Sequence, residues 1–177
     1  MQDILIVVDM QNDFIDGALG TKEAVAMLPR AVKRIRDFTG RVLFTRDTHE
    51  ENYLETREGK NLPVKHCIRG TKGWQICPQL ADLCKEAPID KRTFGSAELG
   101  GYLESINKKN KIGSITLIGL CTDICVISNA LLLKAFLPET EIRVDASCCA
   151  GVTPEGHRTA LTAMKACQIT IEHEDFL

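Results

Sequence analysis

Five consecutive apolar residues, Ile4-Leu5-Ile6-Val7-Val8, closed by Asp9, constrain the fold more than any other stretch of the chain. A strand with one wet face alternates apolar and polar residues, whereas an unbroken run of this kind is a strand covered on both faces, as in parallel sheets. Further runs of strand length lie at 41–45, 87–90, 114–119, 141–144 and 168–171. Helical patterns fall between them over 24–38, 95–108, 125–136 and 154–167, the last with Pro154 at its start, where a missing N–H costs nothing. The alternation predicts an α/β fold: a three-layer α/β/α arrangement around a mainly parallel six-stranded sheet, Rossmann-like in architecture. At ~150 residues per domain, the 177 residues read as a single domain over 1–177. One long stretch, about 47–74, breaks the alternation. It is polar and holds two of the four histidines, which marks a functional loop.

Charge and composition exclude several classes. With 22 Lys+Arg against 24 Asp+Glu, no positive excess is available to neutralise nucleic-acid phosphates. The apolar stretch 112–137 is interrupted by Asp123, Asn129 and Lys134, so no membrane span is expected. The N-terminal residues lack a positive segment followed by a long apolar one, and a cytoplasmic location is expected. Eight cysteines are many for this length, but they do not form the paired C-x-x-C units of a zinc ribbon, and most read as small core residues kept reduced. The same lack disfavours a thiol redox protein.

In an open parallel sheet, ligands bind beyond the carboxyl ends of the strands. Four polar features fall there: Asp9-Met10-Gln11-Asn12-Asp13-Phe14, Thr45-Arg46-Asp47-Thr48-His49, Asp90-Lys91-Arg92 and Gly119-Leu120-Cys121-Thr122-Asp123-Ile124-Cys125. The last places a thiol where a helix begins, near backbone N–H groups able to bind an oxyanion, and a nearby lysine would lower the thiol's pKa. A carboxylate, a lysine and a cysteine from three strand ends make a nucleophilic site. Asp47 and His49, joined by His66, are of the type that binds a first-row transition metal. His157 and His173 read as surface residues, and Trp74 as a packing residue.

These segments, in order, resemble the isochorismatase-like cysteine hydrolases, and within them the nicotinamidase branch. The likeness runs from the opening strand through D-x-Q-N-D-F, D-x-H, His66-Cys67-Ile68-Arg69-Gly70-Thr71-Lys72-Gly73 and Lys91 to G-x-x-T-D-x-C-V ending at Val126. The resemblance implies a catalytic triad of Asp9, Lys91 and Cys125. It also implies a cis peptide at Leu120–Cys121, with the backbone N–H groups of Cys121 and Cys125 as oxyanion hole. Phe14 and Leu120 would contact substrate. It further implies a divalent metal, zinc first with iron or manganese as alternatives, held by Asp47, His49 and His66, with Glu58 or Glu55 as a further ligand.

The implied reaction is hydrolysis of nicotinamide to nicotinate and ammonia through a thioester, with the metal on the pyridine nitrogen. The expected partner is a small-molecule amide, and the expected assembly a homo-oligomer. Many nicotinamidases carry a Trp where this chain has Leu62-Pro63-Val64. A second reading is therefore an amidase for another small amide, ureide or carbamoyl compound, and one of another class is a catalytically silent binding module.

Overall fold

The computed structural model describes residues 1–174. Its six strands are β1 (Gln2–Val8), β2 (Arg41–Asp47), β3 (Ile89–Lys91), β4 (Ile112–Leu120), β5 (Glu141–Ala150) and β6 (Thr170–Glu172). They form one parallel sheet in the order β3-β2-β1-β4-β5-β6. The helices are α1 (Asn12–Ile15), α2 (Lys22–Asp37), α3 (Arg57–Asn61), α4 (Pro78–Ala81), α5 (Ala97–Lys109), α6 (Ile127–Phe136) and α7 (Pro154–Ala166), with a 3-10 turn at Tyr53–Glu55 and a π-turn at Thr122–Val126. Among the described residues no helix is long and apolar enough to cross a membrane.

The unbroken apolar run of β1 is explained by its neighbours. Ile4, Ile6 and Val8 pack with Leu99 and Leu103 of α5, Leu133 of α6 and Met164 of α7, while Leu5 and Val7 face Met27, Ala31 and Ile35 of α2. The five residues Ile4–Val8 are completely buried, so the sheet has no wet face at its centre. The three long helices that follow loops open on hydroxyl caps: Thr21, Ser96 and Thr153 accept from the backbone N–H of Ala24, Leu99 and Gly156. Each such cap is worth about 1 kcal/mol.

Three differences from the expected element bounds bear on the site. The expected fifth strand, 141–144, continues to Ala150 because its polar residues find partners within the fold: Ser147 Oγ donates to Asp145 Oδ1 at 2.7 Å, and Arg34 pairs with Asp145. Strand β3 includes Lys91 and does not stop at Asp90. The helix expected from Cys125 begins as a wide turn, in which the Cys121 carbonyl accepts from both Ile124 N (3.1 Å) and Val126 N (3.0 Å), and α6 starts only at Ile127.

The topology builds the cleft. From β1 the chain moves outward to β2 and β3, then returns to the far side of β1 as β4, so β1 and β4 flank the switch point where crevices open in doubly wound sheets. The strand ends there lie side by side, with Asp47 of β2 in register with Lys91 of β3. Gly119 makes the closest approach: its φ is +119°, and a Cβ at that position would lie 2.1 Å from Val8 O. Gly119→Ala is therefore expected to lower stability by about 2–4 kcal/mol. Urea unfolding checks this, and a midpoint unchanged at constant slope would contradict the packing described.

Candidate active site

Asp9 follows β1 at once, and its backbone turns with φ +48°, a conformation that aspartate tolerates better than most residues. Thr45 of β2 fixes its carboxylate by donating Oγ1 to Asp9 Oδ1 at 2.7 Å. Lys91 reaches in from β3. Its Nζ lies 2.6 Å from Asp9 Oδ2, 3.1 Å from Asp47 Oδ1, 3.2 Å from Thr93 O and 3.4 Å from Cys125 Sγ. The Lys91 side chain is only 1% exposed and that of Asp9 is fully buried.

Burial works against the Lys91 ammonium, but Asp9, Cys125 and Asp47 outweigh it and raise the group well above the ordinary lysine range. Burial also raises the Asp9 carboxyl, with Lys91 pulling the other way. The Cys125 thiol is pushed well up, first by burial and then by Asp9, against a smaller opposing effect of Lys91. The lysine lowers the thiol as its position predicts, but burial and Asp9 outweigh that effect.

Asp47 faces two ways. Its Oδ1 meets Lys91, while its Oδ2 lies 3.0 Å from His49 Nε2 and 3.6 Å from His66 Nε2. Glu58 Oε1 completes the group at 3.5 Å from His49 Nε2 and 3.9 Å from His66 Nε2. Burial raises the Asp47 carboxyl, yet the nearby His49 and His66 and the charge of Lys91 outweigh that and hold it far below the usual carboxylate range.

The chemistry of this donor set fits a cation. His66 Nδ1 lies 2.8 Å from the Val64 carbonyl, which can only accept, so Nδ1 carries a hydrogen and Nε2, facing Asp47 and Glu58, is the nitrogen left to ligate a cation. The buried His49 Nε2 has no hydrogen-bond partner of proper geometry. All four donor atoms lie within 4.8 Å of one another. Metal bonds of ~2.1 Å place neighbouring donors about 3.0–3.4 Å apart, and the donor spacings of 3.0–3.9 Å found here would need only a small contraction to reach that range. The charges agree as well. Asp9, Asp47 and Glu58 against Lys91 leave two uncompensated negative charges, which one divalent ion would balance.

Several supporting residues escaped the sequence reading as functional ones. The fully buried Gln11 clamps the Asp47 peptide, accepting from Asp47 N (2.7 Å) and donating to Asp47 O (2.8 Å), and also donates to Trp74 O (2.9 Å). Asp13 accepts from Cys67 N at 2.7 Å and so anchors the segment carrying His66. Tyr53 packs its ring 4.6 Å from that of His49 and 5.0 Å from that of His66. Asn129 donates to Cys125 O and to Phe94 O and accepts from Ser96 N, tying the π-turn to the loop after Lys91. Gln11 and Asp13 were visible within D-x-Q-N-D; Tyr53 and Asn129 carry no local signal.

The remaining expected residues are placed as follows. The Leu120–Cys121 peptide is cis, and Leu120 is buried next to Cys121, whose thiol burial pushes up to about 12. Phe14 is buried with its ring 5.6 Å from that of His66. Of the two glutamates, Glu58 joins the cluster and Glu55 is exposed on the neighbouring turn. Trp74 packs under the Arg46 guanidinium at 3.4 Å and donates Nε1 to Thr48 Oγ1. All eight cysteines are free; five are buried, Cys84 and Cys121 half-buried, and Cys167 exposed. His157, expected at the surface, is buried because its ring turns inward to Thr122. His173 is exposed, 3.0 Å from Asp145.

A thiol, a carboxylate and an ammonium gathered at the switch point of a doubly wound sheet make up the equipment of a nucleophilic enzyme site. The comparisons with known proteins narrow this. The isochorismatase domain model matches residues 3–175. The nicotinamidase/pyrazinamidase of Mycobacterium tuberculosis is 26% identical over 94% of this chain and 96% of its own. Among solved structures, the pyrazinamidase of Pyrococcus horikoshii in complex with zinc is 31% identical with a TM-score of 0.77, covering 97% of this chain and 98% of its own. The nicotinamidase/pyrazinamidase of Bacillus subtilis is 28% identical with a TM-score of 0.80, covering 98% and 100%. The chain belongs to the isochorismatase family. It is an enzyme of the hydrolase type, with the six-stranded α/β fold of those structures.

The Gln11 clamp generates a prediction independent of catalysis. Gln11→Leu strands one buried N–H and two carbonyls and is expected to destabilise metal-free protein by about 2–4 kcal/mol. Gln11→Glu does no better, because a carboxylate would face the carbonyls of Asp47 and Trp74. Urea unfolding in the presence of a chelator measures both variants, and a loss below about 0.5 kcal/mol would remove Gln11 from this role.

Proposed function

We propose that this enzyme hydrolyses nicotinamide to nicotinate and ammonia, with Asp9, Lys91 and Cys125 as its catalytic residues. The observation that carries this reading is the shared position of Asp47, which joins the Cys125 group to the histidine cluster. The likeness to nicotinamidases and pyrazinamidases supports it.

In the proposed reaction Cys125 passes its thiol proton to Asp9, and the sulfur attacks the amide carbon, forming a C–S bond as the carbonyl electron pair moves to oxygen. The N–H groups of Cys121 and Cys125 receive that oxyanion. The pair returns, the C–N bond breaks, and Asp9 protonates the departing nitrogen, releasing ammonia. Lys91 holds Asp9 in place and balances its charge throughout. Water, deprotonated by Asp9, then attacks the thioester. The second oxyanion collapses with cleavage of the C–S bond, Cys125 recovers its proton, and nicotinate leaves.

Asp47, His49, Glu58 and His66 would hold the divalent ion, with zinc the first choice of an N/O donor set and iron or manganese alternatives. When bound, it would supply a Lewis acid for the pyridine nitrogen. Phe14, beside His66, would pack against the ring. Leu62-Pro63-Val64 keeps a second reading open, in which the same residues cleave another small amide, ureide or carbamoyl compound, because the branch's usual Trp is missing there.

The test is ammonia release from nicotinamide and from a panel of small amides and carbamoyl compounds. Nicotinamide is expected to give the highest kcat/KM, and Cys125→Ala to lose about 10⁴-fold or more. His49→Ala is expected to purify with less than one equivalent of metal by elemental analysis and to weaken zinc binding about 10- to 100-fold or more. A metal-loaded protein inert to nicotinamide but active on a carbamoyl compound would select the second reading.

A further inference from the structure

The π-turn bearing Cys121 and Cys125 is held from two sides. On one, Asn129 grips the Cys125 carbonyl. On the other, the junction of β5 and α7 grips the start of the turn. Val152 N donates to Asp123 Oδ1 at 3.0 Å, and the His157 Nδ1 and Thr122 Oγ1 atoms form a 2.7 Å hydrogen bond. Thr122 is fully buried and His157 is 6% exposed. The fit is close. A Cβ on Gly151 would meet His157 N at 2.7 Å, and one on Gly156 would meet Asp123 Oδ2 at 2.3 Å.

This arrangement is more specific than packing alone requires. An apolar residue in the first turn of α7 would fill the same space without a polar group to satisfy, and a buried imidazole is stable only with a partner. Here the partner is the hydroxyl three residues before the Cys125 sulfur. The turn is wide, closed through the Cys121 carbonyl by Ile124 N and Val126 N, so side-chain restraints at its first residues set where Cys125 points. A shift of about 1 Å at such a group costs on the order of 100-fold in rate.

We propose that His157 is a positioning residue for Cys125: its hydrogen bond to Thr122 fixes the turn that presents the sulfur to Lys91 and Asp9. The proposal rests on Cys125 being the nucleophile. No hydrogen bond joins His157 to Cys125 or Lys91, and it acts through Thr122.

The experiment uses the metal-loaded full chain and three variants, His157→Leu, His157→Asn and Thr122→Val, with the Leu/Val double variant. Each is assayed for nicotinamide turnover, for the rate of alkylation of Cys125 by iodoacetamide read from its peptide mass, and for melting temperature. His157→Leu and Thr122→Val should each lower kcat about 10- to 100-fold with KM changed by less than about threefold, and slow Cys125 alkylation in parallel. Asparagine carries a polar atom at nearly the place of Nδ1 and should recover most of both rates. The double variant should be no worse than the poorer single one, because the two changes break the same bond.

A lower melting temperature with kcat and alkylation intact would overturn the proposal, as would effects that multiply in the double variant or an Asn variant as poor as Leu. If His157→Leu does not fold, Thr122→Val against His157→Asn decides the matter. Absence of nicotinamide turnover in the unmodified enzyme would instead reject the substrate reading, and the alkylation rates would still report on the turn.

Discussion

One buried ammonium organises the site. Lys91, almost without contact to solvent, stands between the carboxylates of Asp9 and Asp47. Withdrawing a single lysine charge from water costs several kcal/mol, which only close opposite charges with good geometry can offset. Three strands have to end together for that to happen. Asp9 follows β1, Asp47 ends β2, Lys91 ends β3, and the register pairs Asp47 directly with Lys91. Their shared level at the carboxyl edge is therefore both a consequence of parallel pairing and a condition for leaving Lys91 charged.

Fixing the cysteine against that centre is a separate problem, because Cys125 lies on a turn and not on the sheet. The fold solves it with side chains from elements distant in sequence. Asn129 links the turn to the loop after Lys91, and Thr122 and Asp123 link it to the start of α7. These restraints leave the sulfur side of the turn facing Lys91. The metal-type cluster is built in the same manner: two donors come from the end of β2 and just beyond it, and two from the following loop, steadied by Gln11, Asp13 and the Tyr53 ring.

Much of this was legible in the chain, and the limits have physical causes. The run Ile4–Val8 announced a strand buried on both faces, and the strand-end carboxylates, lysine and cysteine announced the cleft, because both depend on local sequence pattern. Choosing Glu58 over Glu55 required the path of the loop, since either carboxylate suits a metal and only α3 turns Glu58 inward. His157 read as a surface residue because a histidine in the first turn of a helix normally faces water; burial came from a hydroxyl 35 residues away. The rise of the Cys125 thiol was hidden for a similar reason. A lysine nearby argues for a thiolate, but burial and Asp9 outweigh it, and neither effect is visible in the local sequence.

Asp47 makes the two halves of the site one electrostatic unit. Its charge helps raise both the Lys91 ammonium and the Cys125 thiol, while its other oxygen faces His49 and His66. Positive charge placed among the cluster donors would screen Asp47 and weaken that contribution to the thiol. The Asp47 charge also raises the Asp9 carboxyl, so donor and acceptor of the proton would shift together. In a buried site this influence is little reduced by solvent, so the shared carboxylate ties the titration of Asp9 and Cys125 to the charge on the histidine side of the site.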